Sequence, residues 1–307
     1  MDRREFLKKT VQAGIVAGSA VSLGKYSNLF ASQSTSPNSI YDLVAVKGGE
    51  PDIMFDKAIE SLGGMKSFIK KGQRVVVKPN IGWDVGPELA ANTNPVLVKR
   101  IIQHCYEAGA KEVYVFDNSC DDWKRCYSHS GIERAVKDAG GKIVSGASER
   151  YYQEVEIKKG KKLKSAKVHE LILDSDVFIN VPVLKHHSST ELTIAMKNLM
   201  GNVWDRGYWH RNNLHQCIAD FTSFRKPDLN IVDAYYVMKR NGPRGVSEGD
   251  VVLMKSQIIS SDIVAVDAAA TKLFGFEPKE VSYIKLANEM QLGIIDLSKL
   301  NINRIIL

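Results

Sequence analysis

Two apolar, β-branched runs, Arg74–Lys78 and Asp176–Val181, each stop at a proline, Pro79 and Pro182. Proline lacks the N–H that a central strand donates, so each run reads as a buried strand ending where its proline begins. Leu43 to Val46, Glu112 to Phe116, Lys142 to Val144, Leu229 to Val232 and Gln257 to Ser260 carry the same strand character. Helical periodicity fills the intervals, over Met54 to Ile69, Thr93 to Ala108, Ile132 to Ala139 and Thr190 to Leu199. It continues over Asn213 to Phe224, Asp262 to Phe274 and Pro278 to Gln291. Strands alternating with helices at this spacing predict an α/β fold: a mainly parallel sheet with helices on both faces. Thr93-Asn94-Pro95 supplies a polar cap and an early proline for its helix,. One addition to the sheet is expected. Val155, Ile157 and Leu163 flank the lysine-rich stretch Lys158 to Lys167, which predicts a hairpin turning near Gly160,. Its lysines suit a solvated tip, or else a surface for an anionic partner.

The first residues constrain location. Arg3 and Arg4, followed by Phe6, Leu7 and Lys8, precede an uncharged stretch from Thr10 to Gly24. A basic start before a short apolar run is an export signal, and the arginine pair points to the twin-arginine translocase. The expected organisation is a signal peptide over 1–32, a disordered lead-in over 33–41 and a single α/β domain over 42–307. The protein would then work in the periplasm or outside the cell. Thr10 to Gly24 is shorter than the ~20 residues needed to span a bilayer, and no later segment is long and apolar enough. No stable membrane span is therefore expected after cleavage. The net charge of +7 shrinks once the signal is removed, and the remaining excess does not argue for nucleic acid.

Four cysteines occur, at 105, 120, 126 and 217, with no CxxC pair. That pattern argues against a cysteine-ligated iron–sulfur cluster. Cys105 and Cys217 fall in apolar helix patterns, whereas Cys120 and Cys126 flank a loop and could form a disulfide after export.

Ligands of parallel α/β sheets collect beyond the carboxyl ends of the strands. The residues there are Lys78 and Asn80, then Asp117, Asn118 and Ser119, then Lys185, His186 and His187, and then Asp233. Thr93, Lys197, Asn198 and the loop Asn241-Gly242-Pro243-Arg244-Gly245 belong with them. This mixture suits a small anionic ligand carrying phosphate or carboxylate. Lys78, Lys185, Lys197 and Arg244 would neutralise it, and Asn80, Thr93 and Asn198 would orient it. Neither a G-x-G-x-x-G nor a Walker A run is present, which removes the usual nucleotide fingerprints. Adjacent histidines cannot both face one site in regular structure, and His186, closer to the strand end, is the one expected there. Asp117, Asp233 and His186 could hold a divalent metal through nitrogen and oxygen ligands. The same three are the catalytic candidates, the aspartates as bases and His186 as proton carrier. Each has a plainer reading: Asp117 as a cap, Lys78 as a strand-end lysine reaching solvent, Arg244 as part of a surface turn. Asp267 would be a buried tie between helix and strand. Trp204, Tyr208, Trp209 and His210, with Arg206 and Arg211, form an aromatic and basic cluster that would serve as a lid or as core.

These segments together resemble the domain-of-unknown-function 362 family. The resemblance rests on Val75-Val76-Val77-Lys78-Pro79-Asn80, Thr93-Asn94-Pro95 and Asp117-Asn118-Ser119. It continues through Val181-Pro182-Val183-Leu184-Lys185-His186-His187, Lys197-Asn198-Leu199-Met200-Gly201 and Ile263-Val264-Ala265-Val266-Asp267. It implies an α/β fold and no settled reaction. Many members carry a twin-arginine signal. Others carry ferredoxin-type cysteine runs, which this chain lacks. Two functions are expected: an exported enzyme acting on a small anionic substrate, or a non-catalytic anion-binding protein or cofactor carrier.

Overall fold

The computed structural model describes residues 29–30 and 41–307. The arginine pair and nearly all of the expected signal and lead-in lie outside the described residues. Twelve strands occur among the described residues: β1 (Leu43–Lys47), β2 (Arg74–Pro79), β3 (Glu112–Val115), β4 (Lys142–Ile143), β5 (Tyr152–Glu156), β6 (Ser165–His169), β7 (Val177–Val181), β8 (Val183–His187), β9 (Glu191–Thr193), β10 (Leu229–Met238), β11 (Val251–Ser260) and β12 (Ile302–Ile306). Ten of them form one sheet, in the order β12-β1-β11-β10-β7-β2-β3-β4, with β8 pairing β10 and β9. The block β10-β7-β2-β3-β4 is parallel, as are β1 and β12. β11 runs antiparallel to both β1 and β10, so the sheet is mixed but mostly parallel.

Side chains alternate across the strands, as a period of two requires. Ala45, Val76, Phe178 and Val232 join one buried cluster, while Val44, Val77, Ile179 and Ile231 join another. The first is covered by the helices Leu214–Thr222, Ile263–Phe274 and Ser282–Glu289. The second is covered by Pro51–Ser61, Pro95–Glu107 and Ile132–Asp138. Helices therefore line both faces. Asn94 caps Pro95–Glu107, its Oδ1 accepting from Val96 N–H at 2.9 Å. β5 and β6 form the separate lysine-rich hairpin, and its turn lies at Gly160, whose N–H donates to Ile157 O at 2.8 Å.

Several elements differ from expectation. Thr190 to Leu199 is not one helix: β9 occupies its first part, and only Ala195–Asn198 is α-helical before a 3₁₀ turn over Leu199–Asn202. Branched Thr190, Thr193 and Ile194 favour the extended form, and β9 gains β8 as a partner,. β10 and β11 are each ten residues long, because Asp233 lies inside β10 instead of ending it. The helix expected over Met54 to Ile69 ends at Ser61, where Gly63 and Gly64 adopt positive φ,.

From β2 the chain builds outward through β3 to β4, then returns to lay β7 on the other flank of β2. The order reverses at that point, which leaves a crevice beyond the carboxyl ends of β2 and β7.

Candidate functional site

The crevice is filled by buried polar side chains. Lys78, in β2, is fully buried, its Nζ 2.8 Å from Asp117 Oδ1 and donating to Pro79 O at 2.9 Å and Asn198 Oδ1 at 3.1 Å. Burial lowers its pKa while Asp117 opposes that shift,. Asp117 Oδ2 also accepts from Ile81 N–H at 2.7 Å. Asn198 is a hub: its Oδ1 takes a second bond from Asn80 Nδ2 at 3.0 Å, and its Nδ2 donates to Asn180 Oδ1 at 2.9 Å. Asn180 donates in turn to Asn230 Oδ1 at 3.1 Å. A chain of amides thus crosses β2, β7 and β10 under the site, and buried amides so paired fix each other's geometry.

Above this layer a cleft of about 60 Å³ is lined by Lys78, Asn80, Asp117, Lys185, Thr193, Lys197 and Asn198, among others. Lys185 Nζ donates to Asn80 Oδ1 at 3.3 Å and to Ala91 O. Among the described residues, no carboxylate lies in ion-pair range of Lys185 or Lys197. Burial draws Lys185 down to about 7 and Lys197 to about 8; repulsion from Lys197 and Lys78 adds to the first shift, and repulsion from Arg206 and Lys78 to the second. Thr193 is 3% exposed and its hydroxyl has no hydrogen-bond partner. Two under-compensated cations and an unused hydroxyl therefore share one small cavity, which is an anion-binding arrangement.

The cleft opens into an outer chamber of about 520 Å³. Trp83, Cys120, His187, Lys197, Met200, Arg206 and Pro243 line both spaces. Arg206 is held by Asn118 O at 2.7 Å and Ser119 O at 2.8 Å.

Of the expected site residues, Lys78, Asn80, Asp117, Lys185, Lys197 and Asn198 converge. Thr93 lies beneath the cleft, tying Asn80 N–H to Val181 O through its hydroxyl at 2.8 and 2.7 Å. Arg244 points outward toward Asp121, 3.7 Å away, and its neighbour Pro243 faces the cleft instead. His186 is corrected to His187. Successive strand residues face opposite ways: His186 Nδ1 accepts from Gly242 N–H at 3.1 Å, while His187 lines the cleft. Burial, then Lys197 and Lys185, hold the His187 imidazole far below its usual pKa, so it is neutral. Asp233 is also away from the cleft, accepting from Asn94 N–H at 2.7 Å and Tyr235 N–H at 3.1 Å. Asp117, His186 and Asp233 are thus engaged in three different places and do not fit a shared metal. Among the described residues no three metal-ligating side chains converge.

Cys120 and Cys126, the pair that could have formed a disulfide, are both free, Cys126 buried and Cys120 exposed on the rim. The aromatic cluster divides: Trp209 is core, packed 5.3 Å from Phe221, whereas Trp204, Arg206 and His210 line the outer chamber. The sequence reading did not single out Asn180. Asn180 had a signal, a lone amide within the otherwise apolar Val177–Val181.

A family model described as domain of unknown function (DUF362) matches residues 75–272, a span that contains every lysine of the cleft. The chain is similar to the thylakoid-associated protein sll1697 of Synechocystis sp., at 26% identity over 244 residues, 77% of this chain and 73% of that protein. Among solved structures, the lactate racemase apoprotein of Thermoanaerobacterium thermosaccharolyticum overlays with a TM-score of 0.43 and 10% identity. That overlay covers 83% of this chain, which spans 58% of the racemase.

Proposed function

The chain belongs to the DUF362 family, and on that premise we propose that it is an exported enzyme acting on a small anionic substrate, a phosphate or a carboxylate. The carrying observation is the pair Lys185 and Lys197, two lysines on one small cleft with no carboxylate in ion-pair range of either, since Asp117, which also lines it, is paired with Lys78. An anion entering the cleft would supply that balance, and the Thr193 hydroxyl is free to donate to it. With a pKa drawn to about 7, Lys185 is the group best suited to carry a proton near neutral pH,. The paired Arg3 and Arg4 support export by the twin-arginine route,.

A second reading, a non-catalytic anion carrier, is favoured by one specific observation. His186 and Asp233, the expected proton-transfer groups, bond to backbone away from the cleft. Calorimetric titration with inorganic phosphate and with acetate tests the shared premise. One of the two should bind, and Lys197→Ala should weaken it at least tenfold while the protein stays folded. Unchanged affinity in Lys197→Ala would sink both readings. Mass spectrometry of the native protein then separates them: a carrier retains its ligand unaltered on incubation, and an enzyme converts it.

A further inference from the structure

The inner cleft, at about 60 Å³, has room for an anionic group of a few non-hydrogen atoms and for little else,. Anything larger must extend into the outer chamber of about 520 Å³, which shares its wall with the cleft. Trp83, Met200 and Pro243 line both spaces, and Trp204 lines the chamber but not the cleft.

The backbone at both tryptophans is held by bonds that owe nothing to a ligand. The Trp83 backbone N–H donates to Asn92 Oδ1 at 3.1 Å, and Asn92 Nδ2 returns a bond to Trp83 O at 2.9 Å. Trp204 N–H donates to Lys167 O at 3.0 Å, and its ring packs 5.4 Å from that of Tyr152. The Arg206 guanidinium, fixed by two carbonyls, adds a third planar surface to the same wall. Large aromatic side chains that stay only partly buried are costly to leave facing water, and preorganised ones bind flat groups with little further loss of entropy. Arg offers its planar face to aromatic partners as well.

The geometry points to an anion carried on an aromatic or heteroaromatic body, with the charged group in the lysine cleft and the ring in the outer chamber against Trp83 and Trp204. This deepens the anionic-substrate reading and rests on it.

Titration calorimetry with two matched pairs, inorganic phosphate against phenyl phosphate and acetate against benzoate, tests it on the full chain. In whichever pair binds, the aryl member is expected to bind at least tenfold tighter. Trp204→Ala, outside the cleft, should cut that ratio several-fold while leaving the small anion's affinity unchanged; Trp83→Ala should cut it as well, and Trp83→Phe should retain most of it. Lys197→Ala should weaken both members together. Equal affinity within a pair, or a ratio indifferent to both tryptophan variants, overturns the aromatic assignment and leaves the lysine cleft standing. Absence of binding by all four probes overturns the cleft and the aromatic assignment together.

Discussion

Gly201 shows how little slack the site has. A Cβ placed there would sit 1.8 Å from Asp117 Oδ1 and 2.7 Å from Lys78 Nζ, inside the buried ion pair. The backbone cannot easily retreat, because Gly201 O accepts from Asn118 N–H at 3.1 Å. Gly201→Ala should therefore destabilise the protein by about 1–3 kcal/mol, the usual cost of forcing atoms into a packed interior. Urea unfolding reads this directly, and an unmoved midpoint would mean that the pair is not so tightly enclosed. The residue scale is also where the sequence was least legible. Lys78 and Asp117 could be found because polar residues at the ends of apolar strand runs are conspicuous. The choice of His186 over His187 depended on strand parity, and parity depends on where Pro182 places the start of β8. No local pattern reports that Lys185 and His187 share a face while His186 looks the other way.

At the element scale, the short helix Ala195–Asn198 matters more than its length suggests. It carries Lys197 and Asn198, and a helix of four residues has little stability of its own,. Asp267, fully buried in the helix Ile263–Phe274, holds its start: Oδ1 accepts from Ala195 N–H at 2.7 Å and Oδ2 from Met196 N–H at 3.0 Å. The expected tie between helix and strand is thus a tie between two helices. Asp267→Asn keeps the shape but replaces one acceptor with an NH₂ that faces another N–H. We expect a loss of about 1–3 kcal/mol in urea unfolding, the cost of leaving a buried donor unpaired. Phosphate or acetate affinity should also fall several-fold, because Lys197 shifts with its helix. A variant that loses stability but keeps full affinity would limit Asp267 to a structural role. The sheet itself was legible because β2 and β7 are continuous apolar runs closed by prolines, a pattern that few other elements produce. The segment from Thr190 onward was not, because its strand exists only through pairing with β8, a contact that no local window contains.

At the scale of the whole molecule, buried lysines and aspartates among the described residues titrate between pH 6 and 8, and they pull stability in opposite directions. Lys185 and Lys197 are depressed by burial to about 7 and about 8. Their unfolded pKa is about 10.4, so their contribution is complete above that value and is lost as pH falls through about 8 and then about 7. Asp233 and Asp267 are raised by burial to about 6 and about 8. Their contribution is complete below their unfolded value of about 3.9 and is lost as pH rises through about 6 and about 8. The slopes oppose one another, so a plot of unfolding midpoint against pH would hide the lysines. Anion binding isolates them, because only the ammonium form attracts the ligand and the two aspartates do not line the cleft. Sulfate is the appropriate probe, since its charge is constant over this range. Its affinity should be highest below pH 7 and fall above pH 8, approaching about tenfold per pH unit for each proton taken up on binding. Lys197→Met should remove the fall centred near pH 8 and leave that of Lys185 near 7, along with a lower plateau. A sulfate affinity that stays flat from pH 6 to 9 in the unmodified protein would place the charge that holds the anion on other groups.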